Sequence, residues 1–245
     1  MNIPTKPSTS RARQEMDAHL RRIANALALM EQFLPLRRRM LSAGDSVYHT
    51  GEHFANLHVI HSGFFKLVAV SADGREQVVA LHFKGDWLGF DGIANGQHGC
   101  DAVAIDIGEV WTICYNTFLR ACAEHPTLLN VLHTAMSQEM ARDHDSMVSL
   151  CTLSADERVA DFLARWVGSL ERRGLRTDQM TLCLTRAEIG SYLGMTLESV
   201  SRAFSRLARE KLICFTDHGR RDLQIPDMAA LSAFVHGSLS TAAVP

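Results

Sequence analysis

Residues 184–209 read LTRAEIGSYLGMTLESVSRAFSRLAR, and this stretch decides the architecture. Thr185 followed by Glu188 is a capping box that opens a helix, with Ala187, Ile189, Tyr192 and Leu193 as its apolar positions. Gly194 supplies the positive φ that ends it, and Thr196 can cap a second helix. In that second helix Leu197, Val200, Phe204 and Leu207 are spaced 3-4-3 and are expected to share one buried face. Glu198, Ser201, Arg202, Ser205, Arg206 and Arg209 fall opposite, on a face rich in hydrogen-bonding groups suited to base edges and phosphates. The pattern is a helix-turn-helix whose second helix can enter a major groove.

An ordinary helical hairpin with a solvated outer face would show the same periodicity, so the flanking residues matter. Ile213 to Phe215 and Leu223 to Ile225 flank the turn Thr216-Asp217-His218-Gly219-Arg220-Arg221-Asp222, a small hairpin or wing. Between Arg186 and Arg221 stand seven basic residues (186, 202, 206, 209, 211, 220, 221) and four acids (188, 198, 210, 217). That segment is +3 in a chain of formal net charge −2, a local balance that suits a phosphate backbone.

The 245 residues allow two modest domains, and 47% hydrophobic content supports a real core. No apolar run approaches the roughly 20 residues that span a bilayer, and the N-terminus shows no signal-peptide pattern, so no membrane partner and a cytoplasmic location are expected. The six cysteines at 100, 114, 122, 151, 183 and 214 form no Cys-x-x-Cys pair. That spacing argues against a disulfide framework or zinc site, and most are expected to be buried free thiols.

Residues 1 to about 13 have the composition of a disordered tail, and Gln14 to Gln32 carry helical spacing closed by Pro35. Arg37-Arg38-Arg39 reads as a solvated turn. From Met40 to Tyr115 short alternating segments are punctuated by glycine, with a clear hairpin turn at Ser71-Ala72-Asp73-Gly74. That spacing predicts a β-roll or jelly-roll. After Pro126, Leu129, Leu132, Met136, Met140, Asp143, Met147 and Leu150 step by three and four. So narrow a stripe is a coiled-coil seam, here of a parallel homodimer; packing against the chain's own barrel is the alternative. Asp143 would face its own copy across the two-fold axis, where joint ionisation is disfavoured, so it is expected to weaken the dimer and set its switching range. Ser154-Ala155-Asp156-Glu157 caps a further helix running to about Arg172, with Val159, Phe162, Leu163, Trp166 and Leu170 inward. A short strand at 180–184 precedes the helix-turn-helix, and 228–236 reads as a terminal helix before a fraying tail. The expected division is an N-terminal tail and helix (1–27), a β-roll (28–123), a dimerisation helix (124–153) and a winged helix-turn-helix (154–245). The fold class is therefore α+β.

This order resembles the CRP/FNR superfamily of bacterial transcription regulators over residues 28 to 235. His61-Ser62-Gly63 with Phe64 and Lys66 resembles the family's turn around "SG". Lys84-Gly85-Asp86-Trp87-Leu88-Gly89-Phe90-Asp91 is similar to the "GDxxGF" of the FNR branch. Glu198, Ser201 and Arg202 resemble that branch's E-x-x-S-R recognition motif. The resemblance implies a cyclic-nucleotide-binding-like roll, a dimer on a palindrome of TTGAT-like half-sites, and RNA polymerase as a partner. It places Glu198 and Arg202 on bases with Ser201 assisting; Arg can be bidentate to guanine and Glu can accept from cytosine. Thr196, Arg186 and Arg206 complete the candidate set for double-stranded DNA.

Departures from the family pattern concern the sensor. The cyclic-AMP branch has a Glu after the glycine and a later Arg-Ser pair, whereas here Gly89 is followed by Phe90-Asp91 and the later region reads His98-Gly99-Cys100-Asp101. No Arg lies between Arg75 and Arg120, which argues against a cyclic nucleotide because its phosphate would lack a bidentate partner. No cysteine occurs in the first 99 residues, and the position similar to the family's fourth cluster ligand falls near Trp111, so no 4Fe-4S cluster is expected. Haem needs only one axial His and stays open, leaving an effector- or haem-gated regulator as the second reading. His58 and His61 would lie on opposite faces of a strand and cannot share a metal; His49 and His53 flank a turn and are read as solvated. No metal site is expected. A cupin-like barrel metalloenzyme would need a His-x-His that the chain lacks, and no catalytic triad or carboxylate pair is present, so no enzyme activity is expected. Cys183 and Cys214 are read as inert core thiols rather than redox sensors.

Overall fold

A computed structural model describes residues 9–71, 73–175, 177, 180–216 and 219–241. A helix α1 (Thr9–Phe33) leads into the strands β1 (Arg37–Leu41), β2 (Ser46–Tyr48), β3 (Asn56–Ser62), β4 (Phe65–Val70), β5 (Glu76–His82) and β6 (Trp87–Leu88). A single turn, α2 (Gly92–Asn95), separates these from β7 (Asp101–Ala104) and β8 (Gly108–Cys114). The strands form two antiparallel four-stranded sheets, ordered β1-β8-β3-β6 and β2-β7-β4-β5, which face each other as a roll. The side-chain alternation of β3 explains the packing. Leu57 and Val59 point outward into a core shared with Leu27, Met30 and Leu34 from the end of α1. Ile60 points inward, against Phe65, Leu88 and Val110.

Beyond the roll come α3 (Tyr115–Glu124), the long α4 (Pro126–Thr152) and α5 (Ala155–Glu171). Pro126 starts α4, where a missing N–H costs nothing. Ser154 and Glu157 form the expected capping box of α5, with the Ser154 N–H donating to Glu157 Oε2 at 2.8 Å. Val159, Phe162, Leu163, Trp166 and Leu170 are all buried, as their spacing requires. The remainder is β9 (Met180–Thr181), α6 (Arg186–Leu193), α7 (Leu197–Arg209), β10 (Cys214–Thr216), β11 (Gly219–Gln224) and α8 (Met228–Thr241), with a three-stranded sheet ordered β10-β11-β9.

Several expectations need correction. Helix α1 begins at Thr9, inside the stretch read as disordered; residues 1–8 lie outside the described residues. Arg37-Arg38-Arg39 is not a turn but the start of edge strand β1, with Arg37 paired to Thr112 and Arg39 to Val110. Its exposed side chains mimic a loop in sequence, while its backbone is held by β8. The strand before α6 spans only Met180–Thr181, because Leu182 N–H bonds Arg221 O and the chain then turns into the helix cap. Helix α8 continues to Thr241, beyond the expected 236, and residues 242–245 lie outside the described residues. Leu197 is 48% exposed rather than buried, because the first turn of α7 projects past the core. Most cysteines are not buried: Cys100 and Cys122 are, whereas Cys114, Cys151 and Cys214 are exposed and Cys183 is half-buried. Cys214 is therefore no core thiol; its side chain points outward from β10.

No described helix is long and apolar enough to cross a membrane.

Candidate DNA-binding interface

The reader is built from two caps and one close approach. Thr185 Oγ1 accepts from Glu188 N–H at 3.2 Å, and Glu188 Oε2 accepts from Thr185 N–H at 2.7 Å, fixing the start of α6. Gly194 takes φ +62° and ends that helix. A Cβ on Gly190 would lie 2.7 Å from Met195 O and 3.4 Å from Val200 Cγ2, so only glycine lets α6 and α7 approach this closely. Thr196 Oγ1 then accepts from Ser199 N–H at 3.2 Å and starts α7. Val200, Ala203, Phe204 and Leu207 are buried.

The outer face of α7 carries Glu198 and Arg202, both exposed, and the half-buried Ser201. Arg202 donates to Ser199 Oγ at 3.3 Å, which holds the guanidinium beside the first turn and leaves most of its donors open. The helix-end backbone and the Thr196 hydroxyl, with a smaller part from Arg202, hold the Glu198 carboxyl below its usual range. Glu198 is thus an acceptor at neutral pH.

Two members of the candidate set are already engaged. Arg206 pairs with Asp156 at 2.7 Å and with Glu210 at 3.0 Å, tying α7 to the start of α5. The Arg186 guanidinium carbon sits over Phe204, 3.2 Å from its ring centroid, and near Phe215 at 5.8 Å. Thr196 acts as a cap. In the wing, Asp217 and His218 lie outside the described residues, and Arg221 is exposed on β11.

The seven stripe positions of α4 divide. Met140, Met147, Leu150 and Leu129 are 61%, 62%, 37% and 36% exposed, and Asp143 is exposed among them. Leu132 is buried in the core beneath the roll, and Met136 packs partly against it. Partial desolvation beside the roll and the neighbouring Glu139 push the Asp143 carboxyl upward even though the residue is exposed, with His82, Arg142 and His144 opposing.

A second polar assembly escaped sequence reasoning. Asp86, in the turn before β6, is buried and bonded to Arg173 at 2.9 Å and to Arg142 at 2.7 Å. Arg173 also donates to Lys84 O at 2.8 Å. Burial works against ionisation of Asp86, but the two guanidiniums outweigh it and hold the carboxyl below its ordinary value. The same junction joins Lys66 of β4 to Glu188 of α6 at 2.5 Å, and Val78 N–H of β5 to Ser191 Oγ at 2.8 Å. Phe83 inserts beside Trp166, with ring centroids 5.1 Å apart, so a residue of the roll belongs to the reader's core. In sequence Asp86 stands with Lys84 among the apolar residues from Val78 to Leu88, with nothing nearby to name its partners.

Inside the roll, Asp91 gathers Tyr48 Oη at 3.4 Å, Gly99 N–H at 2.8 Å and Cys100 Sγ at 3.4 Å, and the His98 ring stacks on Tyr48 at 3.6 Å. Burial and Asp91 raise the Cys100 thiol to about 12, so it stays protonated. His58 bonds Thr112 Oγ1 at 3.0 Å, and burial lowers its ring to about 3. Among the described residues no group of three His, Cys, Asp or Glu side chains is placed to hold a metal ion.

Residues 157–234 match the Crp-like helix-turn-helix domain family, and residues 38–125 match the cyclic nucleotide-binding domain family. The transcriptional activator protein Anr of Pseudomonas protegens is 30% identical over 203 residues, covering 83% of this chain and 82% of Anr. The chain belongs to the CRP/FNR family. It is a DNA-binding transcription regulator and not an enzyme. Another CRP/FNR relative, the fumarate and nitrate reduction regulatory protein of Escherichia coli, is 30% identical over 177 residues, covering 72% of this chain and 71% of its own. The solved structure of FixK2 from Bradyrhizobium japonicum superposes with a TM-score of 0.71 at 27% identity, covering 81% of this chain and 96% of that one. The roll followed by a winged helix-turn-helix is thus the CRP/FNR fold.

Proposed function

We propose that this CRP/FNR regulator acts in the cytoplasm as a homodimer on a palindromic site of TTGAT-like half-sites. The observation that carries the reading is the outer face of α7, where Glu198 and Arg202 stand clear of the core with open acceptors and donors. Arg202 would take a guanine edge and Glu198 a cytosine amine, with Ser201 assisting. Arg206 would exchange Asp156 and Glu210 for a phosphate, while Thr196 and Arg186 would set the angle of the helix by capping and stacking. Dimerisation rests on the exposed apolar stripe of α4, where Leu129, Met140, Met147 and Leu150 repeat along one face; Leu132 serves the roll instead. A two-fold dimer places the two readers about one helical turn of DNA apart. RNA polymerase is the partner such a regulator would address.

The roll is proposed as the sensor. The region similar to the family's Arg-Ser pair reads His98-Gly99-Cys100-Asp101, and the Asp91 carboxylate bonded to Gly99 N–H would repel a phosphate. A cyclic nucleotide therefore has no anchor there, and the four-cysteine cluster of the FNR branch has no ligand set in the first 99 residues. The contacts of Lys66, Val78 and Phe83 with the reader favour a second element of this reading, in which a signal held by the rest of the chain gates α6 and α7.

Fluorescence anisotropy with a TTGAT-N4-ATCAA duplex tests the proposal. Saturable binding by two chains per duplex is expected, together with at least tenfold weaker binding when one half-site is scrambled. Equal affinity for both duplexes would overturn the specific reading.

A further inference from the structure

A cavity of about 580 Å³ opens where the roll, α4, α5 and α6 meet. Its body is apolar: Leu81 and Phe83 come from the roll, Leu150 from α4, Phe162 and Trp166 from α5, and Tyr192 from α6. It lies apart from the Tyr48, Asp91 and Cys100 cluster inside the roll, none of which reaches its wall. Its size falls within the range of small-molecule sites, and the roll, α4, α5 and α6 all contribute to it.

Most of the polar groups around this space pair with one another, and the Asp143 and Asp145 carboxylates, which also line it, are exposed to water. Ser149 Oγ donates to Asp161 at 2.7 Å, and Arg165 Nε donates to the same carboxylate at 2.8 Å. Tyr192 Oη and Ser146 Oγ are 3.3 Å apart, and Arg142 is held by Asp86 at 2.7 Å. A charged guest in the apolar middle would lose its water and would have to break these pairs to gain a partner there, whereas an uncharged guest of low polarity fills that middle and leaves them intact.

Gly168 supplies an independent observation. It stands inside α5, a 17-residue helix, where glycine is less stable than alanine, and it lines the cavity. No close neighbour demands it. A Cβ built there meets only Arg172 Nη1, at 3.9 Å, so the place of the missing side chain is open space. Glycine at this position costs helix stability and keeps the cavity wall open.

We infer that this cavity is a binding site for an uncharged, largely apolar organic molecule of about one to three rings, or an aliphatic molecule of similar volume. Bound there, the molecule touches β5, α4, α5 and α6 together and changes the setting of the reader relative to the dimer helix. Only that last step rests on the DNA-binding reading proposed above.

The test uses the full chain and the uncharged fluorophore N-phenyl-1-naphthylamine, first without DNA. Saturable enhancement with one site per chain is expected. Gly168→Ala should retain binding within about twofold and melt at a higher temperature. Gly168→Leu, which puts a side chain into the space and suits a helix, should stay folded by circular dichroism and bind at least tenfold more weakly. No saturable binding by the native chain overturns the inference. So does equal binding by Gly168→Leu, which would place the fluorophore elsewhere. If the native chain binds no fluorophore and Gly168→Leu weakens self-association, a second copy fills the cavity and the inference is wrong. Saturating fluorophore should then change affinity for the TTGAT-N4-ATCAA duplex at least fivefold, within the usual range of coupling between sites. Unchanged affinity would remove the regulatory role while leaving both the site and the DNA-binding reading intact.

Discussion

Asp86 and Arg206 each hold two ion-pair partners, yet they belong to different kinds of place. The Asp86 carboxylate is 7% exposed and lies between Arg173 and Arg142 at the junction of roll, α4 and reader. Arg206 is 52% exposed on α7, where Asp156 and Glu210 share it with water. Coulomb attraction is weak in water and strong in the interior, and a buried charge cannot fall back on solvent when its partner is removed. The junction therefore uses charge to hold three parts of the chain in one arrangement. On the proposed reading the outer face of α7 uses the same chemistry provisionally, and its groups would be handed to DNA.

Removing one side of each assembly tests that contrast most severely. Asp86→Ala leaves Arg173 buried without its carboxylate and should cost about 3–5 kcal/mol by urea unfolding. A cost below about 1 kcal/mol would mean that the junction is solvated and the contrast false. The buried ring of His58 sharpens the same point through pH. Its folded pKa is about 3, below the ordinary 6.5, so the unfolded chain takes up a proton first as pH falls. Stability is full above about 6.5 and declines down to about 3, and at pH 5 the loss from this ring should be about 2 kcal/mol relative to pH 8. His58→Gln should flatten that part of the unfolding-versus-pH curve; an unchanged slope would show the ring to be accessible.

Effects on the exposed face should appear in binding and not in stability. Arg202→Ala should weaken the specific duplex by about 1–3 kcal/mol per half-site while leaving the melting temperature within error. Arg206→Ala should have the smallest effect: no measurable change in melting temperature, and a salt dependence of binding reduced by about one counterion. A clear drop in melting temperature for Arg206→Ala would assign it to the fold instead.

The reader was legible because its signals are local. A capping box, a glycine and an apolar 3-4-3 spacing lie within 26 residues, and each acts on its own neighbours. Leu197 shows where this fails: periodicity gives the face of a helix but not how far the core extends along it. The roll was legible from its glycine spacing, except for Arg37-Arg38-Arg39, whose strand character depends on β8 more than 70 residues later. The junction was not legible. Asp86 meets Arg142 and Arg173 across 56 and 87 positions, and no local pattern announces such a pairing. Leu132 belongs to the same class, since its place in the stripe of α4 matched the seam while its contacts lie with the roll.

A double-mutant cycle between Arg202 and its guanine tests the central claim most directly. Affinities of the native chain and Arg202→Ala are measured at one salt concentration, on the TTGAT-N4-ATCAA duplex and on one with that guanine replaced in both half-sites. The native chain should lose about 1–3 kcal/mol per half-site on the changed duplex, while Arg202→Ala should bind both duplexes alike. If Arg202→Ala still discriminates between them as strongly as the native chain, Arg202 does not read that base and the assignment of α7 is contradicted.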